Sequence, residues 1–244
     1  MNIFFEIHQG NLREGPGDSQ STLCALSYLK NLPVESHILD IGCGPGMQTI
    51  DLAKNTSGKI IALDNHQPYL DELQRRAVTE KLSNKIAVQN GSMFDLNFAP
   101  ESFDVIWSEG AIYIIGFEKG LQEWKKFLKR GGYLVASEIA WFREDIPEEL
   151  QKFWTQAYPA IKTVKEHLQI ISNANYRLLA HFPLPESAWW QNYYHSIEKK
   201  LPQLESKYYN DPEAMELLNA EKFEMELFRK YSSFYGYEFY VIQK

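Results

Sequence analysis

Between residues 37 and 138 the chain alternates short apolar runs with stretches in which apolar residues recur every three or four positions. HILDI (37–41), KIIALD (59–64), KIAVQN (85–90), FDVIWS (103–108) and GGYLVASE (131–138) have the length and β-branched content of buried strands. The stretches at roughly 46–55, 66–82 and 117–129 carry a period near 3.6 and predict amphipathic helices. Strand and helix in regular alternation predict parallel strands joined by right-handed crossovers, hence a doubly wound α/β sheet. Gly131-Gly132, behind Lys129-Arg130, marks a helix stop and a turn into the fifth strand.

The pattern changes on either side of this unit. Upstream, REGPGDSQSTLCALSYL offers a Gly-Pro-Gly loop, a cap at Asp18 or Ser19 and then a helix, so residues 12–36 are expected to cover the site. Downstream, residues 146–174 read as helices and YRLLAHFPL (176–184) as a strand. Asp211-Pro212 opens a long helix to about Phe234 with Gly236 as its stop, and GYEFYVIQ makes a last strand. The aromatic-rich stretch 186–235 lies between those two strands and predicts a helical cap inserted over the sheet. Ligands in open α/β sheets bind beyond the carboxyl ends of the strands, where such a cap would close the site from water.

The chemistry starts at LDIGCGPG (39–46), with Asp64 closing the next apolar run 22 residues after Gly42. A buried strand enters a turn that only glycine fits, and the turn is expected to leave amide N–H groups of a helix N-terminus uncovered. Asp64 then stands where the two hydroxyls of a ribose would lie, as in a nucleoside-binding half-fold. The dinucleotide pattern G-x-G-x-x-G would need glycine at position 47, where Met47 stands. A nicotinamide-dependent oxidoreductase is therefore the weaker reading. Asp40 would oppose a pyrophosphate and suits a ligand with a cationic end. A purely structural glycine turn is the plainer alternative, and Asp64 in register counts against it.

Charge and cysteine usage narrow the partners. A net charge of -7, with basic pairs spread along 244 residues, argues against nucleic acid and against a polybasic membrane surface. MNIFFEIHQGN lacks the basic start of a signal peptide and no apolar run reaches membrane-spanning length, so a cytoplasmic chain is expected. Cys24 and Cys43 are the only cysteines, which excludes a disulfide framework and a zinc site, and no metal is expected.

LDIGCGPG with the acid at Asp64 resembles the first two motifs of the class I S-adenosylmethionine-dependent methyltransferases. NGSMFDLNF (90–98), SFDVIWSEGAIY (102–113) and FLKRGGYLVASE (127–138) follow in that family's order, so the resemblance covers about residues 37–140. REGPGD and SEGAIYIIGF are similar to segments of a group of bacterial and archaeal small-molecule methyltransferases. The resemblance implies one methyltransferase domain over 1–244, with a Rossmann-like, mostly parallel seven-stranded sheet and an antiparallel last strand. It implies S-adenosylmethionine as cofactor. Asp40 would face its amino-acid end, and Gly42, Cys43, Gly44 and Gly46 would let the backbone approach the methionine moiety. Asp64 would accept both ribose hydroxyls. Asn65 would border the adenine, Ser92 and the Met93 amide would hold it, and Ser108 would line the floor. Ser92 stands where many members carry Asp, and Asn97 replaces a frequent proline. A hydroxyl is the weaker acceptor, which predicts lower cofactor affinity.

Methyl transfer is an in-line displacement that needs a base only when the nucleophile binds protonated. Glu109, Tyr113, Glu138 and Trp141 follow the fourth and fifth strands, and the two glutamates are expected to point into one crevice. Glu109, Glu138 and Tyr113 are thus the catalytic candidates. Tyr113, Trp141 and Trp189 are the substrate candidates, suited to an amine or other cationic acceptor. A glutamate after a strand is more often a solvated loop residue. Trp154, Tyr158, Trp190, Tyr193 and Tyr194 either line a pocket or pack helices, and His8, His181 and His195 are alternative bases. The expected function is methyl transfer to a small-molecule acceptor in an enclosed pocket. The alternatives are a non-catalytic cofactor-binding module that regulates a partner and, more weakly, the oxidoreductase. The sequence is compatible with a homo-oligomer.

Overall fold

In the computed structural model, which describes residues 3–244, the predicted strands assemble into one sheet. Met1 and Asn2, the start of the expected single domain, lie outside the described residues. The strands are β1 (His37–Ile41), β2 (Lys59–Asp64), β3 (Ile86–Asn90), β4 (Phe103–Glu109), β5 (Leu128–Trp141), β6 (Lys162–Thr163), β7 (Arg177–Pro183) and β8 (Tyr235–Gln243). Seven of them follow the order β3-β2-β1-β4-β5-β8-β7, and the two-residue β6 adds to the end of β5. β1 to β5 run parallel, and β8 is antiparallel to both β5 and β7. The architecture is therefore the expected doubly wound sheet, with a short eighth strand beside the seven.

The helices are α1 (Ile3–His8), α2 (Ser19–Ser27), α3 (Met47–Asn55), α4 (Gln67–Thr79), α5 (Phe117–Trp124), α6 (Glu148–Ala157), α7 (Val164–Asn173), α8 (Glu186–Trp189), α9 (His195–Tyr208) and α10 (Pro212–Tyr231). Alternate residues of the central strands feed two separate cores. Ile38, Val105, Trp107 and Val135 are buried on one face; Leu39, Ile41, Ile106, Leu134 and Ala136 are buried on the other. Both faces being covered is why these strands read as continuous apolar runs.

The boundaries that shift have local causes. α2 is capped by Asp18, whose Oδ1 accepts from the Ser21 amide at 2.6 Å. The helix expected to reach residue 129 ends at Trp124. A tight turn over Lys125–Phe127 follows, and the chain from Leu128 pairs with Phe103. Gly236 does not stop α10 but lies within β8, where a side chain would press on the Phe142 ring. α8, a π-helical turn over Trp190–Tyr194, α9 and α10 connect β7 to β8. Trp189 stacks on Phe228 at 4.0 Å inside this helical layer.

Candidate functional site

A cleft of about 290 Å³ opens beyond the carboxyl ends of β1, β2 and β4. Gly42, Cys43, Gly44, Asp64, Asn65, Ser92 and Met93, all expected at a nucleoside site, line it. The turn after β1 takes positive φ at Gly42 (71°), Gly44 (52°) and Gly46 (81°), which explains the three glycines. The first amides of the turn itself are occupied, whereas the N-terminus of α3 behind it has no side-chain cap. Gly42 and Cys43 donate to the Leu63 carbonyl at 2.8 and 3.0 Å, and Gly44 donates to Asp64 Oδ2 at 2.9 Å. The turn thus offers space rather than donors, since a side chain at Gly44 would meet nothing nearer than Glu14 Cγ at 3.6 Å. Asp64 Oδ1 accepts from the His66 amide at 2.9 Å, so the carboxylate is held rigidly by two backbone groups.

Three of the expected cofactor residues stand away from the cleft lining. Gly46 packs under α4, where any side chain would collide with Leu73. Ser108 is fully buried and ties β4 to β1 by donating to the Ile41 carbonyl at 3.0 Å. Asp40 is fully buried, its Oδ2 accepting from Thr49 Oγ1 at 2.6 Å and Gln48 Nε2 at 3.3 Å while Oδ1 has no partner. Burial pushes this carboxyl up to about 7 despite the Thr49 bond. Gln48 does line the cleft, so Asp40 reaches it through that side chain.

The N-terminal segment is the part of the site that strand patterns did not disclose. Arg13 Nη1 meets Glu109 Oε2 at 2.6 Å, and Arg13 Nη2 donates to Thr22 Oγ1 at 3.0 Å. Thr22 Oγ1 and Trp107 Nε1 both donate to Glu109 Oε1 at 2.8 Å. Glu109 therefore anchors the segment over the cleft, and both of its oxygens are occupied. Glu14 accepts from the Tyr69 hydroxyl at 2.6 Å, and Phe5 stacks on His66 at 4.0 Å. This N-terminal strap is fastened to the helical layer between β7 and β8 as well: Lys200 Nζ donates to the Ile7 carbonyl at 2.8 Å and Asn192 Nδ2 to the Gly17 carbonyl at 2.9 Å. The REGPGD stretch was the available signal, but nothing local to it says that Arg13 faces an acid 96 positions away.

The two glutamates do not share a crevice. Glu109 pairs in register with Ser137, so side-chain alternation sends Glu138 to the other face of the sheet. Glu138 is fully buried, with Oε1 accepting from the Tyr158 hydroxyl at 2.9 Å and Oε2 unpartnered. Burial raises its carboxyl to about 8. Tyr113 lines the cleft and meets the Tyr158 ring edge-on at 5.9 Å, so it bridges the cleft to Glu138. Trp141 and Trp189 do not line the cleft. Trp141 packs edge-on to Tyr235 at 6.1 Å, and Trp189 is buried in the helical core, stacked on Phe228. Among the described residues no His, Cys, Asp or Glu cluster is placed to hold a metal, and no helix is long and apolar enough to cross a membrane.

Comparison with known proteins agrees with this geometry. A family profile described as "Methyltransferase domain" matches residues 38–132. A sterol 24-C-methyltransferase of Clavispora lusitaniae is 29% identical over 125 residues, 51% of this chain and 33% of that protein. The chain thus spans about a third of the length of that relative. The structure of an S-adenosylmethionine-dependent methyltransferase from Geobacter sulfurreducens in complex with S-adenosyl-L-homocysteine superposes with a TM-score of 0.83 at 15% identity, covering 99% of this chain and 97% of that one. A methyltransferase from Thiobacillus denitrificans, in complex with the same molecule, gives 0.84 at 16%, covering 99% and 98%. Residues 38–132 thus match the methyltransferase-domain family, and the chain has the same fold as S-adenosylmethionine-dependent methyltransferases of known structure.

Proposed function

We propose that the protein transfers a methyl group from S-adenosylmethionine to a small-molecule acceptor, an amine among the classes its acidic residues admit. The observation that carries this is the Asp64 carboxylate, fixed by two amides at the mouth of a cleft floored by a glycine turn. Each oxygen of Asp64 accepts one amide and keeps a lone pair for one hydroxyl of a vicinal diol. The open face of Gly44 admits a chain packed against the backbone, and Met93, Leu63 and Phe94 give an apolar wall for a planar base. Glu14, in the same lining, and the unpartnered Asp40 oxygen behind Gln48 supply negative potential for an ammonium group. The residues present therefore fit this cofactor, and with Asn65 and Ser92 they are the ones that would hold it.

The bound cofactor supplies an activated methyl on a sulfonium, so the protein's work is positioning and the exclusion of water. The strap does the second: Arg13, Glu14 and Phe5 close the cleft from one side while Tyr113 borders it on another. Glu109 is spent on holding Arg13, which leaves Tyr113 and Glu138 as the polar groups on the acceptor side. Calorimetric titration with S-adenosylhomocysteine tests the reading. Wild-type protein should bind, and Asp64→Ala should weaken binding about a hundredfold, the loss of two hydrogen bonds to a charged group. Absence of binding to the wild type would remove the proposal. A non-catalytic cofactor-binding module keeps one observation, since Ser92 Oγ accepts from the Phe94 amide at 3.2 Å and the site lacks an acid there. Methyl turnover with any acceptor in a metabolite extract excludes it.

A further inference from the structure

Glu138 sits in an unusual position for a buried acid. Its one partner is the Tyr158 hydroxyl at 2.9 Å, its Oε2 has none, and no cation pairs with it among the described residues. Buried carboxylates are ordinarily paired or fully hydrogen-bonded, because an uncompensated charge in a low-dielectric interior is costly. Around it stand phenols rather than cations. Tyr158 meets Tyr113, which reaches the cleft, and the Tyr237 hydroxyl lies against Gly110 of the cleft wall, 3.9 Å from where a side chain there would begin. Glu224 on α10, whose Oε1 accepts from the Tyr194 hydroxyl at 2.8 Å, acts on the same Tyr113 and Tyr237 hydroxyls from further out.

We propose that Glu138 receives the ammonium group of an amine acceptor, within a cage formed by Tyr113, Tyr158 and Tyr237, and takes a proton from it. The inference rests on the methyl-transfer reading and names the acceptor class and the base. An ammonium supplies what the site lacks, a charge partner for Oε2, and the phenol rings offer cation–π faces to its substituents. The proton step balances within the pair. One N–H bond breaks with its electrons left on nitrogen, an O–H bond forms on Glu138, and the ion pair becomes a neutral amine and a carboxylic acid. The freed lone pair is then the nucleophile for the donated methyl. Burial raises the Glu138 carboxyl to about 8, so it is mostly protonated at neutral pH until a cation arrives, and it is a strong enough base to accept a proton from an ammonium. The groups that face it are Tyr113 after β4, Tyr158 after α6, and Tyr237, Glu238 and Tyr240 on β8, with Glu238 itself paired to His181 at 2.6 Å and Glu224 on α10 acting on Tyr113 and Tyr237 behind them.

Calorimetry with benzylamine and ethanolamine, and with benzyl alcohol as the uncharged counterpart, tests this at pH 7 in two buffers of different ionisation enthalpy. At least one of the amines should bind and the alcohol should not. Close to one proton should be released per amine bound, because the ammonium ionises Glu138. Glu138→Gln should weaken amine binding about tenfold to a hundredfold and abolish proton release, while binding of S-adenosylhomocysteine is unchanged. Tyr158→Phe keeps the acid and removes the bond that favours its charge. The pH dependence of amine binding should then move upward, a readout that survives if the glutamine variant does not fold. Amine binding without proton release, equal binding by Glu138→Gln, or no amine binding to protein that holds S-adenosylhomocysteine overturns the inference alone. Failure to bind S-adenosylhomocysteine overturns the reading beneath it.

Discussion

Both oxygens of Glu109 are occupied before any ligand arrives, one by Arg13 at 2.6 Å and the other by Thr22 and Trp107, each at 2.8 Å. Removing one member of such a buried pair strands the other charge, at a cost of about 3–5 kcal/mol. Arg13→Met should therefore lower the unfolding free energy measured by denaturant titration by an amount in that range. The double variant Arg13→Met, Glu109→Gln should recover part of the loss, because no buried charge is left unpaired. Strictly additive losses would show that the pair does not anchor the segment. A residue type can thus point toward chemistry and be used for architecture. Asp64 and the glycines at 42 and 44 were legible because a tight turn and a diol-facing acid impose spacing rules along the chain. Gly46 obeyed the same spacing for another reason. With φ at 81° and Leu73 against it, Gly46→Ala should cost about 2 kcal/mol or more in thermal or chemical unfolding, with the cofactor site itself untouched.

Elements were legible wherever their periodicity is local. β1 and β2 begin and end where the apolar runs do, and Asp211-Pro212 opens α10 as its capping chemistry requires. β6, two residues long, carries no periodicity at all, and α1 is too short for a pattern to register. Yet α1 carries a buried charged contact of the strap. Burial disfavours charge on His8, but Glu14 at 3.2 Å and Glu221 at 3.7 Å outweigh it and raise the imidazole to about 9 from its ordinary 6.5. The stabilisation is complete below pH 6.5 and is lost as pH rises through 9, on the order of 2–3 kcal/mol in all. Hydrogen-exchange protection over residues 3–17 should therefore fall between pH 7 and about 9.5, after correction for intrinsic rates. His8→Gln should show low protection that hardly changes with pH. Protection in the wild type that holds through pH 9.5 would mean that the strap does not depend on the charged imidazole.

At the scale of the whole molecule, the doubly wound sheet follows from alternation of strand and helix, but the site is made by contacts that no window of sequence contains. Arg13 meets Glu109 across 96 positions, and Lys200 meets Ile7 across 193. The face taken by Glu138 turns on a single step of register, Glu109 against Ser137, which is why two acids at the ends of neighbouring strands were expected together and stand apart. Among the described residues burial also pushes up four acids, Asp40 to about 7, Glu138 to about 8, Glu224 to about 7 and Glu238 in the same direction. Their unfolded values lie near 4, so the folded chain binds more protons than the unfolded one between about pH 4 and 8. Stability must fall as pH rises through that window, the reverse of the rise that salt-bridged carboxylates produce. His8 works in the same direction from 6.5 to 9, and a net charge of -7 adds self-repulsion as protons leave. The ligand-free protein should therefore melt at progressively lower temperature from pH 5.5 to 9, and Glu224→Gln, which keeps a hydrogen-bond acceptor for Tyr194, should flatten that decline. A melting temperature that climbs across the same range would mean that these acids are solvated or paired in solution, and with it the case for Glu138 as a buried carboxyl awaiting a cation would fall.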